Sequence, residues 1–159
     1  MGERSETHSV EVGVIGKARA VLTLALASLL VGCAHREAPT VTVAVGDIEF
    51  RVEVAQGEQA QRDGLSGRES LPEGTGMLFA FEGKQEQQVW MAGMEIPIDV
   101  AWIADDRVLA VDSYTPCTLT DQSQCPRWTS PAPIDAFLEV PAGSLEGIEP
   151  GTLVTITEK

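Results

Sequence analysis

Residues 40–55 read TVTVAVGDIEFRVEVA, and this stretch decides the fold class. On both sides of Gly46-Asp47, apolar and polar residues alternate with a period of two, which is the pattern of a β-strand with one buried face. A glycine followed by an aspartate between two such runs is typical of a tight chain reversal. The stretch therefore predicts a β-hairpin, with strands over residues 40–46 and 48–55.

The sequence beyond the hairpin repeats this succession of short strands and turns. Residues 57–63 (GEQAQRD) are polar, contain good helix formers and are followed by Gly64, so they predict a short surface helix with a glycine C-cap. Strand-like runs occupy residues 77–81, 87–91, 96–103, 107–114, 136–140 and 153–157. About eight or nine short strands, with one or two short helices, predict a compact, mainly β domain of the sandwich or barrel-like class over residues 40–159.

The segment before this domain has the features of an export signal. Lys17 and Arg19 precede an apolar run over residues 20–32 (AVLTLALASLLVG), which is shorter than the roughly 18–20 residues that span a bilayer as a helix. The run ends at Cys33, and residues 30–33 (LVGC) resemble the lipobox of bacterial lipoproteins. In such proteins the signal is removed and the cysteine is lipidated. We therefore expect a signal peptide over residues 1–32, a lipid anchor at Cys33 and a polar tether up to residue 39.

Two details refine this expectation. Glu3, Glu6 and Glu11 precede the basic pair, which is unusual for a signal peptide and favours a translation start further downstream. Ala34 follows the cysteine, and the resemblance to Gram-negative lipoproteins then implies sorting to the outer membrane. We expect a lipid-anchored protein of the cell envelope that faces the periplasm.

The charge of the chain narrows the range of partners. The sequence has 24 acidic and 11 basic residues, a formal net charge of −13. So acidic a protein repels phosphate backbones and anionic lipid head groups, which excludes nucleic acid as a partner. Contact with a membrane would be made by the lipid chains on Cys33 and not by a basic patch.

The cysteines and histidines limit the possible chemistry. Beyond Cys33 only Cys117 and Cys125 remain, and in an oxidising compartment so close a pair predicts a disulfide worth about 2–3 kcal/mol. A zinc site is the alternative, but two thiols without a nearby histidine are a poor ligand set. The histidines, His8 and His35, precede the folded domain, so Ser-His-Asp and Cys-His catalysis have no histidine there. We predict no metal and no cofactor.

Short motifs in a fixed order resemble the domain-of-unknown-function 192 family. They are VEVA at 52–55, RDGL at 62–65 with Arg68 and Leu71-Pro72, GMLF at 76–79, WM at 90–91, IPID at 96–99, Pro116-Cys117, Cys125-Pro126 and LEVPAG at 138–143. The resemblance implies a compact, mainly β fold in a family whose members are often exported and have no assigned biochemical activity. Members commonly have Lys-Asn-Thr where this chain has Ala92, Gly93 and Met94. If that tripeptide faces a ligand in relatives, its function is lost or altered here.

Asp99 is the first candidate for a site residue. It lies in a strand with two largely apolar faces, so its carboxylate is at least half buried and needs a hydrogen-bonding or charged partner. Arg68 and Arg62 are the natural partners. In the functional interpretation, Asp99 and Arg68 belong to a small-molecule site with Trp90 as an aromatic wall. The alternative is a structural ion pair between the helix loop and the sheet, which is the commoner arrangement.

The tryptophans are the other candidates, as stacking surfaces for a sugar or another planar ligand. For Trp90 and Trp102, which lie in strands, packing in the core is the simpler interpretation. Trp128 lies beside the disulfide loop among polar and proline residues and is the one we expect to be exposed. The predicted ligand-binding set is thus Asp99, Arg68, Trp90 and Trp128.

These observations favour a binding or accessory module of the cell envelope over an enzyme. Its partner would be a small molecule, a glycan or a protein, which the sequence does not name, and no oligomeric state is indicated. The alternative function is a carboxylate-dependent hydrolase, which requires two carboxyl groups about 5–10 Å apart in one cleft. Asp99 with Glu95 or Asp112 is the available pair for such a site.

Overall fold

The computed structural model describes residues 39–158, which form nine strands and two short helical segments. The strands are β1 (Thr40–Val45), β2 (Ile48–Val54), β3 (Thr75–Gln85), β4 (Gln88–Trp90), β5 (Ile98–Ala104), β6 (Arg107–Tyr114), β7 (Arg127–Thr129), β8 (Ile134–Pro141) and β9 (Val154–Glu158). The helical segments are α1 (Gly57–Asp63) and a 3-10 turn (Gln122–Gln124). Within this range no helix is long and apolar enough to cross a membrane. The predicted signal peptide and Cys33 lie outside the described residues.

Seven strands form one sheet in the order β6-β5-β8-β3-β2-β1-β9, while β4 pairs with β7 in a separate two-stranded sheet. All neighbouring strands are antiparallel except β2 and β3, which run parallel. The parallel pair is possible because α1 and the loop after it carry the chain back along the sheet between these two strands. The structure confirms the predicted mainly β class.

The large sheet curls until its edge strands, β6 and β9, approach each other at one end. Arg107 at the start of β6 forms a β-bridge with Leu153, just before β9. The amide of Val108 donates a hydrogen bond to the carbonyl of Thr152 at 3.0 Å. These contacts satisfy part of both sheet edges and give the sheet the shape of a half-barrel.

Two apolar cores cover opposite faces of the central strands. The buried residues of the first core include Val43, Val45, Phe50, Val52, Leu78, Ala101, Ile103, Leu138 and Leu145. Those of the second core include Leu65, Met77, Phe79, Val89, Met91, Met94, Val100, Trp102 and Phe137. Because successive strand residues point to opposite faces, β5 and β8 contribute alternately to the two cores. This is why all seven residues of β5 are buried.

Several local predictions are confirmed. The hairpin forms with its turn at Gly46 and Asp47, as expected. The predicted helix spans the predicted residues, and Gly64 ends it with a positive φ of 50°. Cys117 and Cys125 form the expected disulfide, with their Cα atoms 5.9 Å apart. This disulfide closes the segment that leads from β6 to β7.

Strand β7 was not expected from the sequence, because it lies within a proline-rich stretch. It is only three residues long, and it exists because Trp128 pairs with Val89 of β4 and packs against the second core. The partner strand and the apolar surface thus override the local turn-like composition.

Candidate functional site

A cleft of about 560 Å³ opens above the second core, a volume within the usual range for small-molecule sites. Its floor is the face of β3 and β8, and its walls are the end of α1, the loop after it, and the β4-β7 sheet. We call this space the cleft. It is lined by Gln61, Arg62, Asp63, Gly64, Leu65, Ser66, Phe79, Gln88, Val89, Trp90, Ala92, Met94, Arg127, Phe137 and Glu139.

Glu139 is the unusual group of this cleft. It lies on β8 opposite Met77 of β3 and Val100 of β5, on the same face as Phe137. Its side chain is therefore set among apolar neighbours, and only 7% of the residue is exposed. Among the hydrogen bonds formed within residues 39–158, none reaches its carboxyl group. Burial raises the pKa of Glu139 to about 8, so the carboxyl is largely protonated at neutral pH.

Gly64 lies beside this carboxyl in the lining of the cleft. A Cβ atom at Gly64 would lie 3.4 Å from Cζ of Phe79 and 4.0 Å from Oε2 of Glu139. The residue also has a positive φ of 50°, which disfavours a side chain here for conformational reasons. The glycine that ends α1 therefore lies close to the carboxyl of Glu139 in the lining of the cleft.

Trp90 and Arg127 form one wall of the cleft. They face each other across the β4-β7 pair, and Cζ of Arg127 lies 3.8 Å from the centroid of the Trp90 ring. Trp90 is 38% exposed, which is unusual for a large aromatic residue. Among the described residues no carboxylate lies within 4.0 Å of the Arg127 guanidinium. Its N–H donors therefore remain available to a ligand, since stacking on a ring uses the face of the group and not its edge.

The predicted pairing of Asp99 with Arg68 or Arg62 is wrong. Asp99 is 2% exposed, and its carboxylate accepts hydrogen bonds from Oγ of Ser113 at 2.6 Å and from the amide of Leu145 at 3.0 Å. It lies on the side of β5 that faces the first core, away from the cleft. It borders a separate, shallow hollow of about 390 Å³ beside the turn after β8. Asp99 therefore has the structural role of a satisfied buried carboxylate, with partners that the sequence did not reveal.

Arg68 forms a different ion pair. Its guanidinium donates two hydrogen bonds of 2.7 Å to the carboxylate of Glu53, and about a third of each side chain is exposed. The hydrogen bonds from Arg68 hold the pKa of Glu53 below its ordinary value. The pair fastens the loop after α1 to β2. The structural interpretation thus identified the right arginine and the right loop, but the wrong carboxylate.

The expected exposures of Trp90 and Trp128 are reversed. Trp128 stacks on Tyr114 with ring centroids 4.4 Å apart and is half buried against the second core. Its neighbour in sequence, Arg127, points to the cleft side, because strand residues alternate. Trp102 is fully buried, as expected, and its Nε1 donates to Asp112 at 2.7 Å. Of the four predicted ligand-binding residues, Trp90 alone lines the cleft.

The carboxylates proposed for hydrolysis do not come together. Asp99 pairs with Ser113 and Val100 with Asp112, so Asp99 and Asp112 point to opposite faces of β5 and β6. Glu95 is exposed. Within residues 39–158 no cluster of three His, Cys, Asp or Glu side chains could hold a metal ion.

Sequence reasoning missed Glu139 and Arg127 as site residues. Glu139 lies in the motif LEVPAG, and one signal could have identified it: it is an acid within the otherwise apolar run AFLEV. Arg127 gave no such signal, because its position depends on the unexpected strand β7.

The segment that departs from the family pattern lies in the cleft wall. Ala92 and Met94 line the cleft and contribute small or apolar side chains to its wall. Gly93 connects two loops: its carbonyl accepts from the amide of Gly67 at 2.8 Å, and its amide donates to Oε1 of Gln122 at 2.8 Å. The residues before β5 are therefore held between the loop after α1 and the disulfide segment.

Comparison with known proteins agrees with this fold. A proposed transcription regulator of Sinorhizobium meliloti 1021 has a similar structure, with a TM-score of 0.64 at 24% identity over 74% of this chain and 92% of its own. A protein of unknown function from Novosphingobium aromaticivorans DSM 12444 has a TM-score of 0.62 at 28% identity, over 73% of this chain and 83% of its own. No curated protein matches the chain. The model of the uncharacterised family DUF192, described as "Uncharacterized ACR", matches residues 41–156, and the chain therefore belongs to the DUF192 family.

Proposed function

We propose that this protein is a binding module whose cleft takes a small organic molecule with an apolar body and one polar group that reaches Glu139. The observation that carries the proposal is the carboxyl of Glu139, buried on an apolar face and open only toward the cleft. Placing a carboxyl on a buried apolar face, with no hydrogen bond from another described residue, costs free energy of folding. Residues of binding sites often reduce the stability of the free protein in this way, because their polar groups find a partner only when the ligand is bound.

The walls of the cleft support a small ligand over a glycan or a protein. Phe79, Phe137 and Met94 offer apolar surface on several sides, and the volume of about 560 Å³ suits a compact molecule. A sugar would need an open aromatic face, but Arg127 covers one face of the Trp90 ring. A protein partner would need a broad exposed patch, whereas this site is concave.

The leader and the disulfide support a location in the cell envelope. Disulfides persist in oxidising compartments, and the Cys117–Cys125 pair suits an exported protein. With a lipid anchor at Cys33, the domain would sample solutes of the periplasm from the membrane surface.

The binding proposal can be tested by NMR with a defined set of probes. Backbone amide shifts of the purified protein are followed during titration with small aromatic acids, alcohols and amines. We expect at least one probe to shift the amides of Gly64, Ser66 and Met94 together. Glu139→Met keeps the side-chain volume but removes the polar group. The affinity of the protein for that probe should therefore fall by about tenfold. Glu146→Gln, a change in the exposed turn beside the other hollow, is the matched control and should not alter the affinity.

If no probe shifts the cleft amides, or if Glu139→Met binds as tightly as the wild type, the cleft is not the proposed site. A retained amide spectrum in each variant establishes that the fold is intact.

One observation favours hydrolysis as a second candidate function. Asp63 lines the same cleft as Glu139, and Glu139 with its raised pKa has the protonation state of a general acid. Both Asp63 oxygens accept hydrogen bonds from Nε2 of Gln59, each at 2.8 Å, which orients the carboxylate. Chromogenic nitrophenyl esters and glycosides test this function. Hydrolysis that is lost in both Asp63→Asn and Glu139→Gln would support it, and the absence of turnover would exclude it for these substrates.

A further inference from the structure

We propose that the ligand of the cleft is an organic carboxylate whose anionic group is held by Arg127 and Glu139. This inference rests on the proposed binding function and adds the chemical class of the ligand. It follows from how charge is distributed in the domain, from the geometry of Arg127 and from the state of Glu139.

The domain gathers scarce positive charge at the cleft. Residues 39–158 contain six lysines and arginines: Arg51, Arg62, Arg68, Lys84, Arg107 and Arg127. Arg68 is paired with Glu53, and Lys84 is paired with Asp105. Two of the six, Arg62 and Arg127, line the cleft. In a protein with a formal net charge of −13, two of these six basic residues in one cleft favour an anionic group there.

Arg127 is oriented to bind a carboxylate. Its Cζ lies over the Trp90 ring, 3.8 Å from the ring centroid, and both residues line the cleft, so the guanidinium is positioned beside the space that a ligand would occupy. A planar guanidinium with a free edge matches a carboxylate through two parallel hydrogen bonds. Arg62 is less well placed, because most of its side chain is exposed and its guanidinium lies 3.9 Å from Glu58. Arg127 is therefore the primary anion contact, and Arg62 adds attraction from the rim.

Glu139 completes the site as a donor. Its protonated carboxyl adds no negative charge to the floor of the cleft and can donate an O–H hydrogen bond to a ligand oxygen. The charged groups that line the cleft are then Arg62, Arg127 and Asp63, and because Arg62 lies 3.9 Å from Glu58, Arg127 is the positive charge of the lining without a carboxylate within 4.0 Å among the described residues. A single positive charge suits a monoanionic carboxylate better than a phosphate dianion. The apolar walls suit a hydrocarbon or aromatic body.

The test uses three probes that share one body: hydrocinnamate, its alcohol and its amine. NMR or calorimetric titration at neutral pH should show the carboxylate binding at least about tenfold more tightly than the alcohol or the amine. Arg127→Gln should reduce carboxylate affinity to about that of the alcohol, while the alcohol itself binds unchanged. Arg107→Gln, which removes an exposed arginine remote from the cleft lining, is the matched control and should have no effect.

The pH dependence provides a second test. When Glu139 ionises, its carboxyl loses the O–H that donates a hydrogen bond, and its negative charge repels the carboxylate of the ligand. The affinity of the wild type for hydrocinnamate should therefore fall as the pH rises from about 7 to about 9. Glu139→Gln keeps a neutral donor at every pH, so it should bind hydrocinnamate with little change over this range. A structural role of Glu139 alone would not produce this difference.

The outcomes separate the two proposals. If the amine or the alcohol binds in the cleft more tightly than the carboxylate, or if affinity rises above about pH 8, the carboxylate inference is wrong while the binding function stands. If none of the probes shifts the cleft amides, both proposals fail.

Discussion

At the scale of single residues, two buried acids of this domain have opposite environments. Asp99 receives two short hydrogen bonds, from Ser113 and Leu145. Glu139 is nearly as buried, but no hydrogen bond among the described residues reaches its carboxyl, and its pKa rises to about 8. A buried acid with partners contributes to stability, whereas one without partners reduces it. From this contrast we infer that Asp99 stabilises the fold, whereas Glu139 belongs to the candidate site.

Glu139 should make stability depend on pH in a definite direction. Its pKa in the folded state, about 8, lies above the ordinary value of 4.5 that applies after unfolding. Stability relative to Glu139→Gln should therefore be greatest below about pH 4.5 and should fall by up to about 1.4 kcal/mol per pH unit until about pH 8. Urea unfolding of both proteins across this range measures the difference. Glu146→Gln should follow the wild type, and parallel curves for wild type and Glu139→Gln would contradict the assignment.

Asp99 should matter for stability and not for binding. Asp99→Ala leaves the amide of Leu145 without its partner and should cost about 2–4 kcal/mol of the free energy of unfolding. Ser113→Ala removes only one of the two hydrogen bonds and should cost about 1–2 kcal/mol. Any probe that binds in the cleft should bind both variants as it binds the wild type. A specific loss of affinity in Asp99→Ala, with the spectrum otherwise retained, would reassign this residue to the site.

At the scale of elements, the cleft is assembled from pieces that are far apart in the chain. The loop after α1, the short sheet β4-β7 and strand β8 each provide one side. The disulfide segment connects them, since Gln122 within it accepts from the amide of Gly93. Cys125 lies two residues before Arg127, at the start of β7. The disulfide therefore supports the wall that carries Arg127 and Trp90.

Removal of the disulfide should weaken this wall as well as the fold. The variant with both Cys117→Ser and Cys125→Ser should lose about 2–3 kcal/mol of the free energy of unfolding. The amides of Trp90 and Arg127 should broaden or shift in NMR spectra, and those of β1 and β2 should change little, because these strands belong to the seven-stranded sheet and not to the β4-β7 pair. Thiol reagents should label neither cysteine in the wild type until reductant is added. Stoichiometric labelling without reductant would contradict the disulfide.

At the scale of the whole molecule, an acidic β domain follows a segment that we predict, from its sequence, to be a leader of the lipoprotein type. The formal net charge of −13 disfavours direct contact with anionic lipid, so anchoring would depend on Cys33. The cleft lies above the second core, on one face of the curled sheet. We propose that the anchor holds this site at the membrane surface.

Cys33→Ser should release the protein from the membrane. The substitution removes the lipidated thiol, so cell fractionation should move the protein from the membrane fraction to the soluble fraction. Cys117→Ser serves as the control, since it also removes a thiol but should leave membrane association unchanged. Unchanged fractionation of Cys33→Ser would refute the lipoprotein proposal.

Much of the local structure could be predicted from the sequence. Alternation in residues 40–55, the glycine after GEQAQRD and the cysteine spacing are local features, and the hairpin, α1 and the disulfide follow from them. Strand β7 escaped prediction because its pairing with β4 outweighs its own composition. The candidate site was predicted only in part: Trp90 lines the cleft, but Glu139 and Arg127 were missed.

The sequence by itself determined the class of fold, the family and the excess of negative charge, because each depends on composition or on short, ordered patterns. The tertiary structure alone decided which side chains meet. A period of two tells which residues of a strand share a face, but not which strand lies beside it. The order β5-β8-β3 places Glu139 between Val100 and Met77, and the packing of the loop after α1 places Gly64 above it. Partners such as Asp99 with Ser113 and Arg68 with Glu53 depend on the same long-range arrangement, which no local pattern records.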